Sequence, residues 1–443
     1  MRLNKKAKDD EMKEKAQMRK RNMKIFPIYK NLGWDYMFFY TIDFLFLTQI
    51  KGINPADVVL KGAFYSLFMI ILQIPANIVV EFLGRKNSIV LANILNCFYI
   101  IAIMLSKNLG DLIFAEFISA MAFAIKEVAE PSLLNESIPP SKSKSEIYAK
   151  INAKGASGYY VLNAISKIIA GILFTINGYL PLIFSLAVLI IAIIISTQLV
   201  EPIKRKNKGI KQLLNQKQIK DMEEGFAYIV KSERLKALIV CSSVIVTLII
   251  ILNNYEVGIL EDLNITSAII GVVSAFGSLV SAIASRRQEK FHNILRNKSL
   301  ITIAMILSVS CLISGICGIW AEKSITLICI VILMSLFFNF GQGMYYTIID
   351  KYLSNFSNKK IDTKIFATKN LFSNICRAIG GLIASFLLSK MPTAYCMIIV
   401  GVIFTIIYVL LAKYMKTRVG LKPEQYSEEE RKYDMLKEEE QMP

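Results

Sequence analysis

Histidine is nearly absent from the 443 residues: His292 is the only one. One imidazole cannot supply the two or three ligands of a histidine metal site, so any proton chemistry near neutral pH falls to carboxylates. The seven cysteines (Cys97, Cys241, Cys311, Cys317, Cys329, Cys376 and Cys396) all lie in apolar runs without C-x-x-C spacing. They read as packing residues, not as a disulfide framework or zinc ligands. No G-x-x-x-x-G-K-[ST] loop occurs, which removes a P-loop nucleotide hydrolase from consideration. The first thirty residues are rich in Lys and Arg but contain no apolar core segment, so no cleavable signal peptide is expected.

What is abundant is apolar surface and positive charge. Hydrophobic residues make up 54% of the chain and the formal charge is +18, from 52 Lys+Arg against 34 Asp+Glu. The mean hydropathy is +0.48. A basic disordered chain would be poor in apolar residues, and here the excess sits in long uncharged runs such as Ile301 to Trp320, Ile325 to Phe338 and Ala394 to Ala412. Each approaches the roughly 20 residues that cross a bilayer core. The composition therefore predicts a polytopic membrane protein.

Apolar runs broken by Gly, Pro, Asn or charge predict twelve spans: Leu32 to Ile50, Val58 to Phe82, Ser88 to Ser106, Leu109 to Glu130, Ala153 to Ile176, Tyr179 to Val200, Lys236 to Tyr255, Thr266 to Ser285, Ser299 to Trp320, Ile325 to Ile348, Ala367 to Leu388 and Thr393 to Met415. A basic tail (1–31) precedes a first six-helix bundle (32–200), a polar central loop (201–235), a second bundle (236–415) and a C-terminal tail (416–443). With both termini cytoplasmic, the loops and tails on that side carry about 44 of the 52 basic residues, and the opposite loops about five. Placing Ile147–Phe174 against Ile361–Leu388 without a gap superposes Ile147, Lys150, Ile151, Ala153, Ala164, Ile165, Ile169, Ala170 and Leu173 on identical residues. Such parallel repeats are a transporter trait.

Ile74-Pro75-Ala76-Asn77 followed by Glu81-Phe82-Leu83-Gly84-Arg85-Lys86 resembles the signature I-P-x-G-x-x-x-D-R-x-G-R-K of the major facilitator superfamily. Asn77, Glu81 and Phe82 depart from it, while the acid, the turn glycine and the Arg-Lys pair remain. Glu81, Gly84, Arg85 and Lys86 are thus the expected cytoplasmic gating motif. Gly225 to Leu238 is similar to the amphipathic helix that leads into the seventh span of drug-exporter-like members. The fifth-span G-x-x-x-G-P pattern of drug:proton antiporters is missing: its Gly-Pro is Ser166-Lys167 here, and Glu116 stands where many carry an Arg in the fourth span.

The resemblance implies an all-α fold of twelve transmembrane helices in two pseudo-symmetric six-helix bundles. It implies a secondary transporter of a small organic solute working by alternating access, with proton-coupled efflux expected, proton-coupled uptake or a non-transporting sensor as alternatives, and no cofactor. A monomer in the plasma membrane follows from the same comparison. An intramembrane enzyme would need denser acidic pairs than Glu127 and Glu130 offer. For the basic tail, anionic lipid headgroups are the expected partner rather than nucleic acid.

Embedded charges cost several kcal/mol unless paired or wetted, so they mark candidate sites. Asp43, Glu116, Lys126, Glu127, Lys167 and Arg377 are the clearest. Spacing puts Glu116, Ala120, Phe123 and Glu127 on one face of the fourth helix, and Tyr36, Tyr40 and Asp43 on one face of the first. In the superfamily the first, fourth, seventh and tenth helices line the cavity, which supplies their inward placement. Lys126 with Glu130, and Lys167 with Asp43, are equally readable as structural ion pairs. Asn339, Gln342 and Tyr346 form a softer stripe on the tenth helix, where amides and rings suit either an amphiphilic ligand or helix packing.

Overall fold

The structure, a computed structural model, describes residues 2–139, 144–202, 227, 232–321, 324–356, 362–416 and 418–419. The amphipathic segment expected at Gly225 to Leu238 falls largely outside them. Among the described residues there are thirteen α-helices and no strand. They are α1 (Arg2–Gly33), α2 (Asp43–Leu45), α3 (Pro55–Leu83), α4 (Arg85–Leu105), α5 (Leu109–Ser137), α6 (Lys144–Ile176), α7 (Leu180–Thr197), α8 (Glu233–Asp262), α9 (Ser267–Leu295), α10 (Ser299–Trp320), α11 (Ile325–Phe356), α12 (Asp362–Leu388) and α13 (Thr393–Lys416). A π-helical turn, Phe46–Ile50, follows α2.

Ten of these helices are long and apolar enough to cross a membrane. The first and fourth expected spans fall outside that set for different reasons. α5 is a continuous 29-residue helix that carries Asp111, Glu116, Lys126, Glu127 and Glu130 along its length. The first span is not one helix. It was expected to run unbroken from Leu32 to Ile50; instead α1 stops at Gly33 and the chain turns until Asp43. The local residues favour the stop: of Trp34, Asp35, Tyr36, Met37, Phe38, Phe39 and Tyr40, which follow Gly33, Met37 alone is a strong helix former. Phe38 adopts φ 67°, a left-handed conformation that costs a bulky side chain about 1–2 kcal/mol. A strained interruption of this kind persists only where neighbours hold it.

The residues divide into two compact units. Unit 1 comprises Met1–Ile53, Leu67–Asn215 and Ser267–Ala275; unit 2 comprises Asn54–Ser66, Gln216–Thr266 and Phe276–Pro443. In unit 1, α1 packs on α5, α6 and α7, and α4 packs on α5 and α7. Gly171 of α6 meets Gly271 of α9 so closely that a Cβ on Gly171 would lie 2.6 Å from the Ser267 carbonyl oxygen. In unit 2, α8 packs on α12 and α13, while α10 packs on α11 and α13. The most hydrophobic stretch of α8 is 78% buried, so its central turns form the axis of unit 2. Outward-facing Ile71, Leu105, Phe114, Ile176, Phe386 and Leu410 are exposed, as a lipid-facing surface requires.

Candidate functional site

The interruption of the first span is where unit 1 gathers its polar groups. Lys126, 4% exposed on α5, donates from Nζ to the Gly33 carbonyl oxygen at 2.5 Å. Gly33 is the last residue of α1, so the ammonium satisfies a carbonyl at the negative end of the helix dipole. The same ammonium stands 5.7 Å from the Phe123 ring. The next three residues are each held by a different neighbour. Trp34 packs against Tyr159 and Tyr160 of α6 at 4.8 and 5.9 Å and lies under the Lys30 ammonium at 4.5 Å. Asp35 accepts a hydrogen bond from Tyr159, and its Oδ1 is buried with no hydrogen-bond partner among the described residues. Tyr36 donates to Asn96 Oδ1 on α4 at 2.9 Å and lies 2.9 Å from Ser119 Oγ on α5.

Electrostatics join these contacts. Lys126 and Lys167 both act on the Asp35 charge, and Glu130 acts on Lys126. Glu130 does not bridge to Lys126, however; it accepts from Tyr29 at 2.7 Å. The Lys126–Glu130 ion pair expected from their spacing is thus replaced by a lysine that caps a helix end. Lys30, on the tail side of the site, donates to Asn152 Oδ1 at 2.5 Å, and burial lowers its ammonium from the ordinary value while Glu130 opposes the shift.

The remaining expected residues separate. Glu116 is buried and accepts from Tyr99 at 3.2 Å, whereas Glu127 is exposed, so one helical face holds two environments. Tyr36, Tyr40 and Asp43 do not form a helical stripe, because the chain is not helical between Gly33 and Asp43: Tyr36 is buried, Tyr40 is 50% exposed, and Asp43 begins α2. The Tyr36 and Tyr40 rings still meet, tilted by 58° with centroids 5.4 Å apart.

In unit 2, Asn339 of α11 donates to the Ser335 carbonyl at 2.9 Å and to Glu256 Oε1 at 3.4 Å, and Ser335 Oγ also donates to that Glu256 oxygen. Gln342 is half-buried and Tyr346 is 42% exposed beside Tyr345 at 5.1 Å. Arg377 Nη1 is 3.4 Å from Asn374 Oδ1, and its buried Nε has no hydrogen-bond partner among the described residues.

The motif residues build a separate network inside unit 1. Gly84 takes φ 83°, which only glycine adopts without strain, and starts α4. Arg85 pairs with Glu81 at 2.9 Å and, through Nε, lies 3.3 Å from Glu136 Oε1. Glu201, just after α7, accepts from the backbone N–H groups of Arg85 and Lys86 at 3.2 and 2.9 Å. A carboxylate there neutralises the positive end of α4. Asn22 of α1 grips Val200 by both its carbonyl (2.6 Å) and its N–H (2.9 Å).

Sequence reasoning missed Asp35, Glu256 and Glu201. Asp35 lies within the expected first span and is as embedded as Asp43. Glu256 is one residue beyond the expected end of the seventh span, but α8 continues to Asp262. Glu201 has no local signal, since its partners are more than a hundred residues away.

The sequence profile of the Major Facilitator Superfamily matches residues 32–353 and 296–438. No curated protein sequence matches the chain. Among solved structures, a mutant form of the nucleoside transporter NupG aligns with TM-score 0.66 at 11% identity, covering 91% of this chain and 100% of that one. The D-xylose-proton symporter aligns with TM-score 0.66 at 10% identity over 89% and 97% of the two chains. A bacterial homolog of the human lysosomal transporter Spinster, in an inward-facing and unoccupied conformation, aligns with TM-score 0.66 at 12% identity over 90% and 96%. These structures share the fold, and the profile spans most of the sequence: the chain is a multi-pass membrane protein of transporter type and belongs to the major facilitator superfamily.

Proposed function

We propose that the protein moves a small organic solute across the plasma membrane by alternating access, as a monomer with both termini cytoplasmic, and that proton-coupled efflux is its direction. The reading rests on one observation: the expected first span is non-helical from Trp34 to Ile42, beside a buried lysine, a buried carboxylate and a cluster of aromatic rings. Interrupted helices place backbone polar groups and helix ends at membrane depth, where transporters bind solutes and ions. Lys126 and Lys167 would orient an anionic or polar group, Tyr36 and Tyr40 an apolar body, and Asp43, Glu116 and Glu127 would carry protons. Asn339, Gln342, Tyr346 and Arg377 would complete the solute's surroundings, and Glu81, Gly84, Arg85 and Lys86 would gate the cytoplasmic side. Lys20, Arg21 and Lys24 line an open groove on α1 suited to anionic lipid headgroups, not nucleic acid.

Uptake is the second reading. The fifth span lacks the Gly-Pro of drug:proton antiporters, and one structure of the same fold is a D-xylose-proton symporter. The deciding experiment is a thermal-shift screen of a solute panel, followed by flux into liposomes under an imposed pH gradient. Flux that vanishes when the gradient is dissipated supports proton coupling, and its sign gives direction. Asp43→Asn and Glu127→Gln, singly and together, should abolish gradient-driven flux; unchanged flux in the double variant would refute the carboxylate route.

A further inference from the structure

Arg377 stands in the middle of the α12 span, nine residues after Thr368 and eleven before Leu388. At 1.5 Å per residue either end of the span is roughly 14–16 Å away, beyond the reach of its side chain. The exposed residues Ile375, Ile379, Leu382, Ile383 and Phe386 mark the lipid-facing stripe of α12, and a turn of 100° per residue puts Arg377 on the opposite side, with Asn374. A charge at that depth calls for a partner. Among the described residues no carboxylate forms an ion pair with it. Nη1 donates to Asn374 Oδ1 at 3.4 Å, a long bond to a neutral amide, and the buried Nε donates to nothing among the described residues. Its charge also reaches the Tyr345 hydroxyl, but that group is committed to Ser242, 2.7 Å away.

Nor does α12 need Arg377 to hold its place. Ser373 Oγ lies 3.2 Å from Ser243 Oγ, and Tyr255 donates to the Ala384 carbonyl at 2.7 Å, so neutral groups dock α12 on α8. The unit 1 lysines differ in this respect, since Lys126 and Lys167 both act on Asp35. What matches the Nε and Nη2 edge of a guanidinium is a planar anion with two oxygens side by side, which is a carboxylate. A doubly charged phosphate would bring one negative charge too many. Asn374 Nδ2, which donates to nothing among the described residues, adds a donor one turn away. We propose that the transported solute is a monocarboxylate, seated on the Nε and Nη2 edge of Arg377 with the Asn374 amide as a further donor. The proposal names a substrate class for the transporter reading above and rests on it.

The test uses the full-length chain in lipid nanodiscs. Thermal unfolding is followed at fixed pH and ionic strength with acetate, octanoate and benzoate, each against its neutral primary amide. At least one acid should raise the unfolding temperature saturably, by roughly 3 °C at a hundredfold excess over Kd, and its amide should not. Arg377→Gln should abolish that response, and Arg377→Lys, which keeps the charge and loses the fork, should weaken apparent affinity at least tenfold. Without any acid, Arg377→Gln should unfold at or above the wild-type temperature, because it removes an embedded charge that the solute-free protein leaves uncompensated. A structural cation would do the reverse, so a fall of several degrees in that variant overturns the proposal. So does a panel in which no acid exceeds its amide, a response that survives Arg377→Gln, or one given by inorganic phosphate and by none of the acids. Liposome flux separates the two readings. An acid that stabilises through Arg377 without being carried would refute transport and leave the seat standing, whereas flux of a neutral solute that is unchanged in Arg377→Gln would refute the seat alone.

Discussion

Replacing Lys126 with methionine keeps the length of the side chain and removes its charge and its donor. The loss is a buried, charge-assisted hydrogen bond of 2.5 Å to Gly33, worth about 1.5–3 kcal/mol. Asp35 also loses one of the two lysines acting on its charge. Against this, the variant no longer desolvates an ammonium, which returns part of the cost. The net expectation is a destabilisation of about 2 kcal/mol, or roughly thirtyfold in the folded-to-unfolded ratio. Trp34 reports on it directly: it is one of two tryptophans, and it sits 4.8 Å from the Tyr159 ring at the interruption. In a Trp320→Phe background its emission should shift toward that of a solvated indole, and the denaturation midpoint should fall. A double-mutant cycle with Asp35→Asn should return a coupling of about 1 kcal/mol. If Lys126→Met unfolds at the wild-type midpoint with unchanged Trp34 emission, Lys126 does not hold the interruption and the site loses its keystone.

Two further outcomes follow from the packing of unit 1. Glu201→Ala leaves the α4 backbone N–H groups of Arg85 and Lys86 without their acceptor, so it should cost about 1–2 kcal/mol and speed amide exchange at those two positions, read by hydrogen–deuterium exchange. Gly171→Val drives a branched side chain into the Ser267 carbonyl and the Gly271 Cα, which a Cβ alone would approach to 2.6 and 3.1 Å. It should destabilise by about 1–3 kcal/mol, while Gly178→Ala, which meets the movable Ile50 side chain closely and the Phe174 ring at an ordinary 3.5 Å but no backbone, should be milder by the same thermal assay.

The spans were legible because lipid contact demands uninterrupted apolar runs, and that demand acts locally on sequence. α3, α4, α10, α12 and α13 follow from it with boundary shifts of at most five residues, while α8, α9 and α11 run seven, ten and eight residues past their expected ends. The interruption after Gly33 was not legible. Its aromatic residues score as apolar in any hydropathy window, and the lysine that caps the end of α1 lies about ninety positions downstream. Tyr36 illustrates the consequence: spacing alone puts it on a helical face, whereas it is buried with its hydroxyl donating to Asn96 and lying 2.9 Å from Ser119 Oγ, where no such face exists. Glu256 was hidden by an assumption about ends. A charged residue normally closes a span, yet α8 runs another turn and a half past it. Lys126 was the reverse case, since a cation in the middle of an apolar run signals a paired or functional group wherever it occurs.

The grip of Asn22 on Val200 spans 178 residues of chain, and Glu201 returns from the same point to the start of α4. Two adjacent residues just after α7 therefore clasp both α1 and α4. For a chain made from its N-terminus at about 5–20 residues per second, this clasp forms only after the ribosome has passed Glu201. Until then the helices of unit 1 made so far lack this closure. A nascent chain halted before Val200 should hold Asn22 only through its hydrogen bond to Ser137 on α5, and one halted a few dozen residues later should add both Val200 bonds and protect it further, so this clasp is timed by translation.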